Sequence, residues 1–389
     1  MTDVVIASAV RTAVGRGKAD GALASVHPVD ITAAVMQESL NRAGIDPAAV
    51  EDVQWGCAMP EASQGLNHAR LGWLRAGLPV ETSAATINRF CSSGLQAVAY
   101  GAQAIKAGMG DIILAGGTEM MSHVPMSGYF TRLSPDITEA YIGMGFTAER
   151  VAKRWNVTRE EQDLFAYETQ QRAARAIREG RFRDQIVPIA VKQYQWKGAE
   201  KTVTERVFDT DETPRPETTL ETLGKLRPAF VATGTVTAGN ASPYSDGSAA
   251  VLVMSADRAK ELGVRPLARF VAYATGGVDP DIMGMGPVAA VPKALKRAGL
   301  SLDDIKLIEF NEAFAAQAIA VARELQFDMS IVNVNGGAIA LGHPLGATGA
   351  KLTTQLISEL GSRGGGYGMV TMCVGGGMGA AGIFEVESA

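Results

Sequence analysis

Two residues with side chains suited to acyl transfer and proton transfer, a cysteine and a histidine, lie in predicted turns that contain glycine. Cys91 opens the run Cys-Ser-Ser-Gly-Leu-Gln-Ala, and His343 stands in Leu-Gly-His-Pro-Leu-Gly-Ala-Thr-Gly. Each turn precedes a segment rich in alanine and glycine that predicts a helix, 91–108 and 344–361. The positive end of a helix favours a thiolate, and a nearby imidazole can accept the thiol proton. The pair predicts nucleophilic cysteine chemistry, although a single cysteine is more often a small core residue.

A second cysteine ends an apolar, strand-like segment and is followed by glycines. In Thr371-Met-Cys-Val-Gly-Gly-Gly-Met-Gly379, Cys373 precedes backbone N–H groups that could face a developing oxyanion. Part of this run, Gly377 to Gly382, has the GxGxxG spacing of a dinucleotide-binding loop. Too little chain follows it for the helix, second strand and acidic residue of such a site, so we reject that interpretation.

A polar amide follows another predicted strand. Asn311 begins the run Asn-Glu-Ala-Phe-Ala and could hold a water molecule or a carbonyl oxygen. A simple turn or helix-capping role is the alternative that the sequence leaves open. Cys57 has no neighbouring group that predicts reactivity, and we expect it in the core.

The elements that carry these residues form an internal repeat. The segment 41–56 aligns without gaps on 296–311, at an offset of 296 − 41 = 255, and Arg-Ala-Gly is identical in the two. Cys91 and His343 match at an offset of 343 − 91 = 252. In both copies a predicted helix ends at glycine and a strand follows. The chain therefore predicts two copies of one α/β unit.

The stretch between the copies, about 117–244, differs in character. It is rich in charge from Glu149 to Arg183 and contains the turn-forming run 209–216. Such a long insertion is typical of a segment that covers a core and contacts substrate. A purely structural insertion is the alternative.

Composition limits the classes of function. The chain has 389 residues, 47% of them hydrophobic, and a net charge of −5, which gives no reason to expect nucleic acid or a membrane surface as partner. Three scattered cysteines indicate neither a disulfide framework nor a metal site. The first residues predict a strand rather than a secretory signal, and no apolar run is long enough to span a membrane. A cytoplasmic location is the default expectation.

Four motifs together resemble the thiolase family in sequence and in order. They are Ile87-Asn-Arg-Phe-Cys-Ser-Ser-Gly, Asn311-Glu-Ala-Phe-Ala, Gly342-His-Pro-Leu-Gly-Ala-Thr-Gly and Cys373-Val-Gly-Gly-Gly-Met-Gly. The resemblance covers essentially the whole chain. It implies the α/β thiolase fold, in which two similar βαβαβαββ halves form a five-layered αβαβα core with an inserted loop domain. The expected domains are an N-terminal half (1–116 and 245–264), a CoA-binding loop domain (117–244) and a C-terminal half (265–389).

The resemblance also implies roles for the site residues. Cys91 would be the nucleophile that becomes acylated, and His343 would activate it. Asn311 would position a water molecule in the oxyanion hole that His343 helps to form. Cys373 would be the second acid and base, acting at the α-carbon of the acetyl unit. The backbone amides of Cys91 and Gly375 would form the other oxyanion hole.

For the acyl-CoA and CoA substrates the resemblance implies a binding surface on the loop domain. Arg215 would lie by the adenine or the phosphates, and Ser242 would lie near the pantetheine. Phe230 and Met144 would line the pocket. No tightly bound cofactor and no metal are implied, and the partners expected besides CoA are further copies of the chain, in a homodimer or a homotetramer.

One position departs from the short-chain biosynthetic branch of the family, which carries a histidine just before the Met-Gly of the loop domain. Gly143 stands there in this chain. It indicates the degradative branch with a broader range of chain lengths, with a biosynthetic acetoacetyl-CoA thiolase as the alternative. A decarboxylating ketoacyl synthase would need a second histidine where Cys373 stands. A thiolase-like lipid-binding protein would typically have lost catalytic residues that are intact here.

Overall fold

The computed structural model of the protein describes residues 2–129, 132–197 and 200–389. Apolar runs rich in β-branched residues and alanine form its strands, and alanine-rich segments form most of its helices. The strands are β1 (Val4–Thr12), β2 (Gly15–Arg16), β3 (Asp52–Gly56), β4 (Ser83–Ile87), β5 (Ile112–Met120), β6 (Ile186–Val187), β7 (Ile189–Lys197), β8 (Glu200–Phe208), β9 (Ser245–Ser255), β10 (Ala268–Gly277), β11 (Ile305–Phe310), β12 (Gly366–Val374) and β13 (Met378–Val386). The helices are α1 (Pro28–Ala43), α2 (His68–Arg75), α3 (Ser93–Lys106), α4 (Met144–Arg154), α5 (Arg159–Arg178), α6 (Leu220–Gly224), α7 (Ala256–Glu261), α8 (Gly286–Ala298), α9 (Ala315–Leu325), α10 (Ala338–Leu341) and α11 (Leu345–Ser362).

The two copies expected from the sequence form two matching halves of sheet. The first half has the order β4-β3-β5-β9-β1, and the second has the order β11-β12-β13-β10. A parallel bridge between Ile308 and Val332 extends the second half beyond β11, where the first half has β4. The halves meet where β1 pairs antiparallel with β10, at Val5 with Arg269 and at Ile6 with Ala268.

Helices cover both faces of each half. Along β5, Ile112 and Leu114 pack with α1 and α2 in one apolar cluster, whereas Ile113 and Ala115 pack with α3 and α11 in another. This alternation follows from the two-residue period of a strand. A third cluster packs α8 and α9 on the outer face of the second half. The result is the five-layered αβαβα arrangement, with α3 and α11 in the central layer.

The matched ends of α1 and α8 confirm the repeat in detail. Each helix is followed by a glycine in the left-handed region, Gly44 with φ 64° and Gly299 with φ 69°. A residue with a side chain is disfavoured there, which explains the glycine in both copies. The strands β3 and β11 then follow at equivalent places.

The two central helices approach each other too closely for side chains at their crossing. A Cβ atom on Gly349 would lie 2.1 Å from the backbone nitrogen of Leu95, and one on Gly94 would lie 2.8 Å from that of Ala350. Only glycine fits at these contacts. Because the crossing involves the first turns of both helices, it brings the segments that precede them, with Cys91 and His343, to one region.

The segment between β5 and β9 contains α4, α5, α6 and the β7–β8 hairpin. Helix α5 begins with a capping box at Thr158, and Gly180, with φ 71°, follows its end. A fully buried ion pair ties this segment to the core, because Arg11 of β1 donates to both carboxylate oxygens of Asp211 at 2.7 and 2.9 Å. Among the residues that the structure describes, no helix is long and apolar enough to cross a membrane.

Candidate active site

Cys91 is presented by a strained turn. It lies in a short 3-10 segment, Phe90–Ser92, immediately before α3, and its side chain is buried. Phe90 has φ 42°, a left-handed conformation that is unfavourable for a bulky residue. Two hydrogen bonds hold the turn: Ser93 Oγ donates to the Phe90 carbonyl at 2.7 Å, and the Phe90 amide donates to Asn88 Oδ1 at 2.8 Å. The fold thus holds Phe90 in an unfavourable backbone conformation directly before Cys91, the expected nucleophile.

The surroundings of Cys91 act on its pKa in opposite directions. Burial raises the pKa to about 11, while hydrogen bonding from the backbone amides of Gly375 and of Cys91 itself lowers it. Burial prevails, so the helix N-terminus does not produce the low pKa that its position favours. In the free protein Cys91 is a neutral thiol, and a base must remove its proton before it can attack. The two amides that reach the sulfur are those expected to form an oxyanion hole.

His343 is held in one tautomer. Thr348 Oγ1 donates its hydrogen to the carbonyl of Pro344 at 2.9 Å, so it accepts from His343 Nδ1, which lies 2.6 Å away. His343 Nε2 is therefore unprotonated, and it accepts a hydrogen bond from Asn311 Nδ2 at 3.3 Å. The His343 amide is fixed by Ser245 Oγ at 3.0 Å. Nε2 is thus the ring atom that can take up a proton.

Burial also keeps the imidazole neutral. Burial, together with the nearby cation of Lys351, lowers the pKa of His343 to about 3. Asn311 is fully buried, and its Oδ1 has no hydrogen-bond partner among the described residues. A buried amide oxygen of this kind is normally satisfied by an ordered water molecule or a ligand. The geometry fits the water-positioning role expected of Asn311.

Cys373 lies one residue before the end of β12 and is also buried. It packs with Ala316, Phe314 and Met144 in one apolar cluster. Burial raises its pKa well above the usual range, and the neighbouring Cys91 raises it further. The structure therefore brings the two cysteines close enough to interact electrostatically, although they are 282 positions apart (373 − 91).

A cavity of about 490 Å³ reaches this site from the surface. His343 lines it, as do Leu345, which packs with Cys91, and Phe314, which packs with Cys373. All four residues predicted for CoA binding, Arg215, Ser242, Phe230 and Met144, line the same cavity. A larger cavity of about 650 Å³ lies beside Arg42, Arg181 and the C-terminus and contains none of the predicted site residues. We regard the smaller one as the substrate cavity, because it alone of the two adjoins the reactive groups.

The lining of the substrate cavity combines apolar and aromatic side chains with basic ones. Phe230 stacks edge-on against Phe146 and Phe314, with ring centroids 6.3 and 6.1 Å apart. Lys18 and Arg215 also line the cavity, as does Arg16, whose guanidinium pairs with Glu212 at 3.2 Å. This combination suits a ligand with an apolar arm and an anionic head.

The sequence interpretation did not single out three residues that the structure places at the site. Thr348 orients His343, Ser245 fixes its backbone, and Glu119 accepts a hydrogen bond from the first turn of α11. Thr348 belongs to the same motif as His343, one helical turn after Pro344, and that spacing was an available signal. Among the described residues, no group of three or more His, Cys, Asp or Glu side chains is placed to hold a metal ion.

Comparison with known proteins identifies the family. The model of the thiolase N-terminal domain matches residues 4–257, and that of the C-terminal domain matches 264–386. The chain is 53% identical to a 3-ketoacyl-CoA thiolase of Bacillus subtilis, over 99% of this chain and 100% of that protein. It is 48% identical to an acetyl-CoA acetyltransferase of Syntrophomonas wolfei, over 98% and 99% of the two chains. The crystal structure of the Bacillus anthracis acetyl-CoA acetyltransferase superposes with a TM-score of 0.90 at 43% identity and covers 99% of both chains. The chain therefore belongs to the thiolase family.

Proposed function

We propose that the protein is an acyltransferase that cleaves 3-ketoacyl-CoA with CoA, giving acetyl-CoA and an acyl-CoA shortened by two carbons, or runs the reverse Claisen condensation. The observation that carries this proposal is that two backbone amides reach the sulfur of Cys91, while Leu345, two residues after His343, packs in the same apolar cluster as Cys91. His343 itself presents an unprotonated Nε2. A thiol, a base and an oxyanion hole are the groups that acyl transfer needs.

In the first half-reaction the proton of Cys91 passes to His343 Nε2, and the sulfur attacks the 3-keto carbon. The bond between C2 and C3 then breaks. This leaves the acyl group on Cys91 and releases an acetyl-CoA enolate, whose C2 takes a proton from Cys373. The backbone N–H groups of Cys91 and Gly375 and the His343–Asn311 pair would stabilise the oxyanions formed on the two carbonyl oxygens.

In the second half-reaction the Cys373 thiolate accepts the proton of the CoA thiol. The CoA sulfur attacks the acyl carbon, the bond to Cys91 breaks, and its sulfur recovers the proton held by His343. Each residue returns to its starting state, which gives ping-pong kinetics. The steps use only side chains, backbone amides and the two thioesters, so the proposal includes no tightly bound cofactor.

CoA binding is assigned to the substrate cavity. Arg215, with Arg16 and Lys18, would contact the phosphates, and Phe230 and Met144 would line the path of the pantetheine beside Ser242. Arg215 is held through its backbone, since its amide donates to Gln170 Oε1 at 2.8 Å. The combination of apolar and basic side chains in the lining supports this assignment.

We further assign the protein to the degradative branch that accepts a range of chain lengths, as in β-oxidation. Gly143 lines the cavity, and a Cβ atom there would meet only the ring of Phe146, at 3.3 Å. The space it leaves supports longer acyl chains. The second candidate is biosynthetic acetoacetyl-CoA formation, favoured by the acetyl-CoA acetyltransferase name of several relatives at 46–48% identity.

The test is thiolysis of acetoacetyl-CoA and of 3-ketooctanoyl-CoA by the wild type and by Cys91→Ser. We expect turnover in the wild type only, with an acylated Cys91 trapped by mass spectrometry. Activity that survives in Cys91→Ser would contradict the mechanism. A wild type that turns over the longer substrate at a comparable rate supports the degradative branch, and activity on acetoacetyl-CoA alone supports the biosynthetic one.

We also propose a cytoplasmic homodimer or homotetramer. Strand β4 ends the sheet, and beside it Leu66 and Val80 are 89% and 65% exposed. An exposed apolar edge of this kind supports association. Light scattering on purified protein would give the number of subunits, and a monomer at micromolar concentration would contradict the proposal.

A further inference from the structure

A carboxylate that the mechanism does not use lies buried beside the site. Glu119 is the penultimate residue of β5, and its side chain is fully buried. Oε2 accepts from the amides of Ala58 and Gly346, both at 2.8 Å, and Oε1 accepts from the Met59 amide at 3.2 Å and from Gln64 Nε2 at 2.9 Å. One carboxylate thus joins three segments that are distant in sequence.

The contacts of Glu119 favour its ionised form. Each of the four groups that reach it is an N–H donor, and the Cys57 thiol donates a fifth, weaker hydrogen bond to Oε1 at 3.8 Å. The orientation of the Gln64 amide is fixed, because its Oε1 accepts from the Met120 amide at 2.5 Å. A protonated Glu119 would turn a hydrogen towards these donors. Burial raises the pKa of Glu119 above its usual value, and the four hydrogen bonds to the carboxylate oppose this shift.

The segments that Glu119 joins form the surroundings of Cys91. Ala58, Met59 and Leu345 pack in one apolar cluster with Cys91, and Leu345 is two residues after His343. Gly346 donates one of the backbone N–H groups at the start of α11 that have no partner within the helix. A negative charge is favourable at this end of a helix.

The packing leaves Glu119 little freedom. A Cβ atom on Gly346 would lie 2.9 Å from Glu119 Oε2 and 2.7 Å from the Cα atom of Cys57. A Cβ atom on Gly117 would lie 2.0 Å from the carbonyl oxygen of Gly346. The first turn of α11 is therefore in direct contact with the ends of β3 and β5, and the carboxylate is the only charged group described in that contact.

We infer that Glu119 is a positioning residue for the proposed reaction: its four hydrogen bonds fix the first turn of α11, and hence the imidazole of His343, against the walls of the Cys91 pocket. This inference rests on the proposed role of Cys91. Glu119 does not touch the cavity that would bind substrate, so its effect is on the alignment of the base and the nucleophile rather than on CoA binding.

The test is Glu119→Gln, which preserves shape but places an NH2 group against N–H donors. We expect kcat for thiolysis to fall about 10- to 100-fold, as misplacement of a catalytic group by about 1 Å can produce, while KM for CoA stays within about twofold. Alkylation of Cys91 by iodoacetamide should be at least as fast as in the wild type, since Glu119 raises the pKa of Cys91 and the variant removes its charge.

The matched control is Glu359→Gln, at the far end of α11. Glu359 is also buried and accepts from Arg181, Arg363 and Asn335, but it lies 13 residues beyond Gly346, about 20 Å along the helix. We expect a lower melting temperature and an unchanged kcat. The inference is overturned if kcat of Glu119→Gln matches that of the wild type. It is also overturned if the rate of Cys91 alkylation falls together with kcat.

If Glu119→Gln fails to fold, Gln64→Leu tests the inference instead. This variant removes one of the four hydrogen-bond donors to Glu119 and leaves the carboxylate in place. A kcat lowered about 3- to 10-fold with unchanged KM for CoA supports the inference, and an unchanged kcat overturns it. The proposed function fails separately, when the wild type itself has no thiolase activity.

Discussion

His343 Nδ1 lies 2.6 Å from Thr348 Oγ1, and the hydroxyl hydrogen of Thr348 is already committed to the Pro344 carbonyl. The threonine therefore acts only as an acceptor towards the ring. This single contact determines which ring nitrogen carries the proton, and it leaves Nε2 basic on the side where Asn311 lies.

Replacing Thr348 by valine should lower kcat about 10- to 100-fold, because the ring loses the partner that fixes its tautomer, at a cost of about 1–3 kcal/mol. The measurement is steady-state thiolysis with CoA varied. Thr353→Val is the matched control, since Thr353 Oγ1 donates to the Gly349 carbonyl one turn further along α11 and contacts no imidazole. Equal kcat values for the two variants would contradict the role of Thr348.

The raised pKa of Cys91 predicts a slow and steadily pH-dependent reaction with iodoacetamide. With a pKa of about 11, the thiolate fraction in the free enzyme is small at pH 7 and should rise about tenfold per pH unit up to pH 10. Glutathione, alkylated in parallel, should level off near pH 9. Because Cys57 and Cys373 are also buried, the modified residue is identified by peptide mass spectrometry. A plateau for Cys91 below pH 8 would indicate a preformed thiolate–imidazolium pair instead.

The match between Cys91 and His343 could be predicted from the sequence because the chain repeats, whereas the roles of Asn311, Cys373 and Gly375 were expected from the resemblance to the thiolase family. The offset that aligns 41–56 with 296–311 also aligns Cys91 closely with His343, and equivalent positions of a duplicated unit face each other across the central layer. The strand ends that carry Asn311 and Cys373 follow from the same pattern. These predictions depend on local periodicity and on order along the chain, which a sequence contains directly.

Other features depend on packing between distant segments and could not be predicted. Arg11 and Asp211 are 200 residues apart and form a fully buried pair, which no local pattern indicates. The pKa of Cys91 was expected to fall at a helix N-terminus, yet burial raises it. Desolvation is a property of the assembled core, so the sign of the shift becomes clear only in the structure.

The basic side chains that line the substrate cavity predict a salt-dependent affinity for CoA. Arg215→Ala should raise KM for CoA about 3- to 10-fold with little change in kcat, because an exposed charge contact with a phosphate contributes about 1 kcal/mol. For the wild type, KM should rise with ionic strength, and the variant should respond less. Arg206→Ala, an exposed arginine on β8 that does not line the cavity, serves as the control. A KM unchanged by Arg215→Ala would place the phosphates elsewhere.

Gly143 provides the sharpest test of chain-length preference. Its φ of −65° is open to any residue, so a side chain there does not strain the backbone, although its Cβ would lie 3.3 Å from the exposed ring of Phe146, which would have to shift slightly. Gly143→His should therefore lower kcat/KM for 3-ketooctanoyl-CoA about tenfold more than for acetoacetyl-CoA, a difference of about 1.4 kcal/mol from lost space for the longer chain. Gly224→His places the same side chain at a glycine with open surroundings outside the cavity, and its ratio of the two rates should match that of the wild type. If Gly143→His slows both substrates equally, the space beside Gly143 holds a part of the substrate that both share, and the acyl chain extends in another direction.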